Sequence, residues 1–162
     1  QAAPLLAPVS PAGAAVAASA PMRGSWAVML RYAAPLAMPW EGVFINTGPL
    51  RWVARDSSKP GRTGPETWLL HASPEWSDAH MEDDADAVTA VLIAAFVALG
   101  APAPLAATAH RWRYADTELA LTKGSWWDAS LRLGMCGDWL NGGKVEGAWL
   151  SGRALAQQVQ AA

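Results

Sequence analysis

Alternation of apolar and polar residues organises much of this chain. SWAVMLRY (Ser25–Tyr32), GVFINT (Gly42–Thr47), LRWVARD (Leu50–Asp56) and ETWLLHA (Glu66–Ala72) place large apolar side chains on every second residue, the period of a half-buried strand. Turn chemistry at Ala34-Pro35, Gly48-Pro49 and SSKPGRTGP separates them, so an antiparallel meander is the simplest topology. A change of period follows. Ser73 or Ser77 suits the start of a helical stretch, and Asp83–Leu99 carries Val88, Val91, Leu92, Ala95, Phe96 and Leu99 at helical spacing before Gly100 ends it. PLAATAHRWRYAD (Pro104–Asp116) returns to strand character. SLRLGM (Ser130–Met135) predicts a further short strand, and VEGAWLSGRALAQQV (Val145–Val159) a closing helix with Val145, Ala148, Trp149, Gly152 and Leu155 on or near one face. Runs of strands with one central and one terminal helix predict an α+β domain built on a mostly antiparallel sheet.

Composition narrows the partners. Of 162 residues, 52% are hydrophobic and 16% charged, and the net charge is −2, so no basic field exists to hold a nucleic-acid backbone. A single cysteine rules out an internal disulfide framework and fits a reducing, cytoplasmic setting. No run reaches the roughly 20 uninterrupted apolar residues that a spanning helix needs, so no membrane partner is expected. The first 22 residues are rich in alanine and proline and read as a connector. They lack the basic start of a signal peptide, because Arg23 is the first positive charge, and Pro4, Pro8 and Pro11 break the apolar run. A start at Gln1 within such a connector suggests a piece of a longer protein.

Most of the local chemistry has a plain structural reading. The ten tryptophans are expected mainly in the core, with some left to line a pocket. Trp112 and Tyr114 alternate with Arg111 and Arg113, which puts rings on one face of a strand and cations on the other. His71, His80 and His110 are too widely spaced for a zinc motif, and no metal is expected. No serine sits in G-x-S-x-G. The acids of MEDDAD (Met81–Asp86) suit a solvated helix start, and Cys136, in an apolar strand before a glycine, reads as a buried inert thiol.

The segment after Cys136 is different. Gly137-Asp138, then Gly142-Gly143, then Val145-Glu146-Gly147-Ala148 put several glycines where a strand hands over to a helix. Glycines let a backbone approach a ligand closely, and a helix start offers unpaired N–H groups and positive partial charge to an anion. That physics suits a flavin that becomes anionic on reduction, and equally any other anionic group.

GDW followed by a glycine loop and VEGAWLSGRALA resembles the C-terminal flavin-contacting motif of the FAD-dependent amine oxidase superfamily. With SKPGR (Ser58–Arg62), TWLLHASPEWS (Thr67–Ser77) and HRWRYA (His110–Ala115), the resemblance narrows to the renalase-like branch of bacterial NAD(P)/FAD-dependent oxidoreductases and spans nearly the whole chain. It implies a connector over 1–22, a substrate-binding domain over 23–133, and a strand and helix over 134–162 that would complete an FAD site. Enzymes of this kind open with G-x-G-x-x-G for the FAD pyrophosphate, and this sequence contains no such fingerprint. The chain therefore resembles the substrate half of a flavoenzyme whose dinucleotide-binding half is missing, and it is expected to be inactive by itself.

Carried over by position, Gly137, Asp138, Val145, Glu146, Gly147 and Ala148 are the implied FAD contacts. His110, Trp112 and Tyr114 are implied for the substrate side, with Arg55 and Lys59 as contacts for an anionic substrate; no catalytic acid or base is singled out. The implied reaction is hydride transfer from an amine or a dihydronicotinamide to FAD. A free-standing ligand- or partner-binding module descended from such a domain is the alternative. A strand ending at Cys136 without its flanking sheet would also leave an open edge, from which a homodimer is expected.

Overall fold

The computed structural model describes residues 2–162 and divides into two compact units, one formed by Gly24–Ala115 and the other by the chain up to Arg23 together with Asp116–Ala162. The fold class is α+β: a five-stranded, mostly antiparallel sheet with helices, including a helix at the C-terminus. Among the described residues no helix is long and apolar enough to cross a membrane.

The sheet contains β1 (Met22–Tyr32), β2 (Gly42–Phe44), β3 (Leu50–Arg55), β4 (Glu66–Ala72) and β5 (Ala106–Thr117), in the order β2-β3-β4-β1-β5. The second to fourth strands form the expected meander. The first does not lie beside the second; it pairs antiparallel with β4, from Ala27 opposite His71 to Tyr32 opposite Glu66. Length explains the choice. A three-residue β2 would leave most of the 11-residue β1 without ladder partners, whereas β4 and the 12-residue β5 satisfy its backbone groups on both sides.

One face of this sheet is buried. Trp26, Val28, Leu30 and Tyr32 of β1, Val53 of β3, and Trp68, Leu70 and Ala72 of β4 meet Val88, Leu92 and Phe96 of helix α4 (Ala85–Ala98). In α4 the buried residues recur every fourth position, a narrower stripe than the sequence predicts, and Val91 and Leu99 stay exposed. Asp84 caps its start by accepting bonds from the Asp86 and Ala87 N–H groups, and Gly100 (φ 100°) lets the chain turn away at its end. Before it, Ser73 caps α3 (Pro74–Ala79), accepting from Trp76 N, as one of the two expected serines. Each fully buried Val, Leu or Phe here contributes about 1.5–3 kcal/mol.

Tyr32 is an exception within that core. Its hydroxyl is buried without a hydrogen-bond partner, and burial pushes its pKa up to about 12 from 10.0. Tyr32→Phe removes an unsatisfied polar group at almost constant shape, so a gain of about 1 kcal/mol is expected in urea denaturation. The folded pKa lies above the unfolded one. The protonated phenol's contribution is therefore whole below pH 10 and lost as pH rises towards 12, a loss that should be absent in the variant.

The other unit departs from the sequence reading in several places. The proline-rich connector contains two helices, α1 (Ala2–Leu6) and α2 (Pro11–Ala18), because Pro11 occupies the first turn of α2, where its missing N–H is harmless, and Ser10 caps that turn through Gly13 N. The predicted strand Ser130–Met135 shrinks to β7 (Leu133–Met135), which pairs with an unpredicted β6 (Trp126–Asp128); Asp128 organises the hairpin by accepting from the Ser130 and Leu131 N–H groups. Cys136, expected to be buried, is exposed just beyond that two-stranded ribbon.

The terminal helix α5 (Val145–Gln160) is present, but it turns a different face inward. Gly147 and Ser151 are buried and Leu155 lies against Gly134, whereas Val145 is 91% and Trp149 60% exposed. Packing needs small residues here. A Cβ on Gly147 would fall far inside contact distance of the Asn141 carbonyl oxygen, so helix and turn meet backbone to backbone. Gly147→Ala is therefore expected to cost about 1–3 kcal/mol, and an unchanged denaturation midpoint would refute that packing.

Candidate functional site

The sheet face opposite α4 has no helix on it in the Gly24–Ala115 unit. The pairings Ala27–His71, Met29–Leu69 and Arg31–Thr67 project six side chains to that side, and the period of two along β5 adds Ala106, Thr108, His110 and Trp112. Asp56, Ser57 and the segment Arg62–Pro65 close one end. Together they line a groove with a volume of about 940 Å³. That is a size suited to a small organic ligand.

Three chemistries meet in this groove. Met29, Leu69 and Ala27 form an apolar floor. His110 and Trp112 form an aromatic wall, their ring centroids 4.3 Å apart and inclined at 63°, with Trp112 still 52% exposed. His71 supplies an imidazole whose pKa is held below its ordinary value, first by burial and then by the positive charge of Lys59. It therefore sits in the groove as a neutral group able to accept a proton or a hydrogen bond.

The residues singled out from sequence fall into separate places. His110 and Trp112 line the groove. Tyr114 lies further along β5 in a shallower depression shared with Trp26, Ala85 and Arg111. The alternating arginines serve packing: Arg111 donates to Met81 O (2.7 Å) and lies over the Trp26 ring, while Arg113 pairs with Glu82, whose carboxyl it holds below its usual pKa range. Arg55 is engaged by the Glu66 carboxylate through Nε and Nη2 (3.1 and 3.0 Å), and Lys59 by Asp56 (2.7 Å). Arg31, Asp56, Arg62 and His71 are groove residues that the sequence reading did not assign to a ligand. The outward positions of ETWLLHA and SWAVMLRY were a usable signal, since a histidine and an arginine there stand on the face away from the core.

The glycine turn belongs to the other unit. Gly137 N donates to Ser151 Oγ (3.0 Å), and the Asp138 carbonyl accepts from Asn141 N and Gly143 N, both at 2.8 Å. Gly142 (φ 83°) and Gly143 (φ 69°) occupy left-handed conformations that carry the chain into α5. Asn141 Nδ2 donates to Gly147 O (3.2 Å), tying the turn to the helix. Lys144 occupies the cap position without a side-chain cap bond, and Val145 and Glu146 are exposed in the first turn. Ala148, next in the motif, is half-buried. The turn thus holds Gly147 for packing and leaves the start of α5 open to an anionic group.

No protein-family model matches the chain.

Proposed function

We propose that the protein supplies the substrate side of an FAD-dependent oxidoreductase related to the flavin amine oxidases and their renalase-like branch. In it, hydride passes from an amine or dihydronicotinamide substrate to FAD. The observation that carries this reading is the groove of about 940 Å³ on the open sheet face, with its apolar floor, aromatic wall and neutral imidazole. The uncapped start of α5, directly after the glycine turn, supports it independently.

On this reading Gly137, Asp138 and the first turn Val145-Glu146-Gly147-Ala148 contact the flavin, and the helix terminus favours negative charge on the reduced ring. FAD, when bound, supplies the hydride chemistry. The chain's own residues bind and orient: Trp112 and His110 flank the substrate ring, and His71 offers a neutral acceptor beside it. The pyrophosphate is held by residues outside this sequence, which has no G-x-G-x-x-G, so the chain alone is expected to turn nothing over. The reading also places the protein in a reducing, cytoplasmic compartment.

The coding sequence immediately upstream of the Gln1 codon tests the proposal. An in-frame strand, G-x-G-x-x-G and helix are expected, and the protein extended by that segment should keep its flavin absorbance after desalting. A start codon directly upstream, or an extended protein that holds no flavin, overturns it. One observation favours the rival reading of a ligand-binding module: every groove residue lies within the one compact unit Gly24–Ala115. Tight binding of FAD to the chain as it stands would exclude that rival.

A further inference from the structure

We infer that the groove binds a planar apolar ring carrying an oxyanion, with Arg31 as the anchor of the anion and Trp112 as the wall for the ring. This rests on the proposal above only in taking the groove as the ligand site, and of the two substrate classes named there it disfavours the amine. Arg31 stands on the groove face of β1 opposite Thr67, and among the described residues no carboxylate lies within ion-pair reach of it. Arg31 shares this face with Met29 and Leu69 and is exposed, so its guanidinium is open to an incoming ligand. Its planar fork of donors matches a carboxylate or a phosphate.

The surrounding charge points the same way. Asp56 is the single acid among the lining residues, and it is already bound by Lys59 (2.7 Å) and Arg62 together. Arg31, Lys59 and Arg62 thus stand against one carboxylate, in a chain whose net charge is −2. His71 registers this local excess, since the Lys59 charge is one of the two causes that depress its pKa. A protonated amine entering the groove would meet like charge, whereas an anion would meet an unpaired fork. The two residues that the sequence offers for an anion, Arg55 and Lys59, are held by Glu66 and Asp56, which leaves Arg31 as the available donor.

The ring preference follows from the other walls. Trp112 presents an exposed indole edged by His110, and the Met29 thioether with Leu69 provides a flat apolar floor. A flexible aliphatic acid would satisfy Arg31 and leave that wall unused.

Calorimetric titration of the chain with 1-naphthoate, 1-naphthyl phosphate and 1-naphthylmethylamine separates these contributions, because the three probes share a ring and differ in charge. Both anions, or the phosphate alone if the site demands the higher charge, are expected to bind at least about tenfold more tightly than the amine. Arg31→Gln should weaken the anions by about tenfold to a hundredfold and should leave the amine no weaker, since it removes a like charge. Arg31→Lys, which keeps the charge without the fork, should fall between. Trp112→Ala should weaken all three. Both positions are exposed, and thermal melts of the variants should match the parent. Binding of the amine as tight as that of the anions, anion affinity indifferent to Arg31→Gln, or no anion binding at millimolar probe overturns the inference. The titration needs no flavin, so a failure of the oxidoreductase reading leaves its result intact.

Discussion

Glu66→Ala is expected to lower the stability of the fold by about 3–5 kcal/mol, the loss typical of removing one partner from a buried charged network. Glu66 is only 6% exposed, at the start of β4, yet its carboxylate is fully engaged. Ser57 Oγ (2.7 Å), Arg55 Nε and Nη2, Trp68 Nε1 (2.8 Å) and Leu36 N (3.2 Å) all donate to it. Burial pushes its pKa up, but these donors outweigh burial and hold it below the ordinary value of 4.5. Because the folded pKa is depressed, the stabilisation is present above the unfolded pKa and is lost as pH falls through the folded one. Urea denaturation from neutral to acid pH reads both effects. Glu66→Gln should retain the shape, lose less than the alanine variant and flatten the acid limb. A loss under about 1 kcal/mol for Glu66→Ala would show that the network is solvated and replaceable.

Trp68→Ala carries the second large effect, also about 3–5 kcal/mol, for a cavity rather than a charge. Trp68 is 1% exposed, and its ring lies 5.5 Å from both Trp40, edge-on, and Phe96 of α4. The substitution deletes the shared contact between the loop bearing Trp40, the sheet and the helix. It also removes one donor to Glu66, so the two sites are coupled. A double variant should therefore lose less than the two single losses added together. Strict additivity in equilibrium denaturation would mean that the indole N–H contributes nothing to holding the carboxylate.

Both residues stand in the same β-strand motif, and what was legible there illustrates a wider pattern. Alternation in ETWLLHA located β4 to the residue, and the same period marked β1, β3 and β5, because a half-buried strand imposes a period of two on its own sequence. Ser73 as a cap and Gly100 as a stop were readable for the same local reason. The buried role of Glu66 was not, because it depends on donors from Leu36, Arg55 and Ser57 that the fold brings to one point.

The inward face of α5 shows where local pattern misleads. Its apolar residues suggest a stripe through Val145 and Trp149, but the contact is made by Gly147, Ser151 and Leu155, since the helix approaches the Asn141 backbone too closely for larger side chains. Trp112 and His110 were recognisable as candidate site residues from their alternation with arginines. Arg31 and His71, about eighty and about forty positions away along the chain, joined them only through strand pairing about β1.

By itself, then, the sequence determined the strands of the main sheet, the helices at Ala85–Ala98 and Val145–Gln160, the α+β class, the Ser73 cap and the glycine turn, all of which rest on contacts between near neighbours. Tertiary structure alone decided the position of β1 between β4 and β5, the face that stays open, and which cations remain unpaired. Those outcomes depend on ladder lengths and on charges supplied by distant segments, so no local period encodes them.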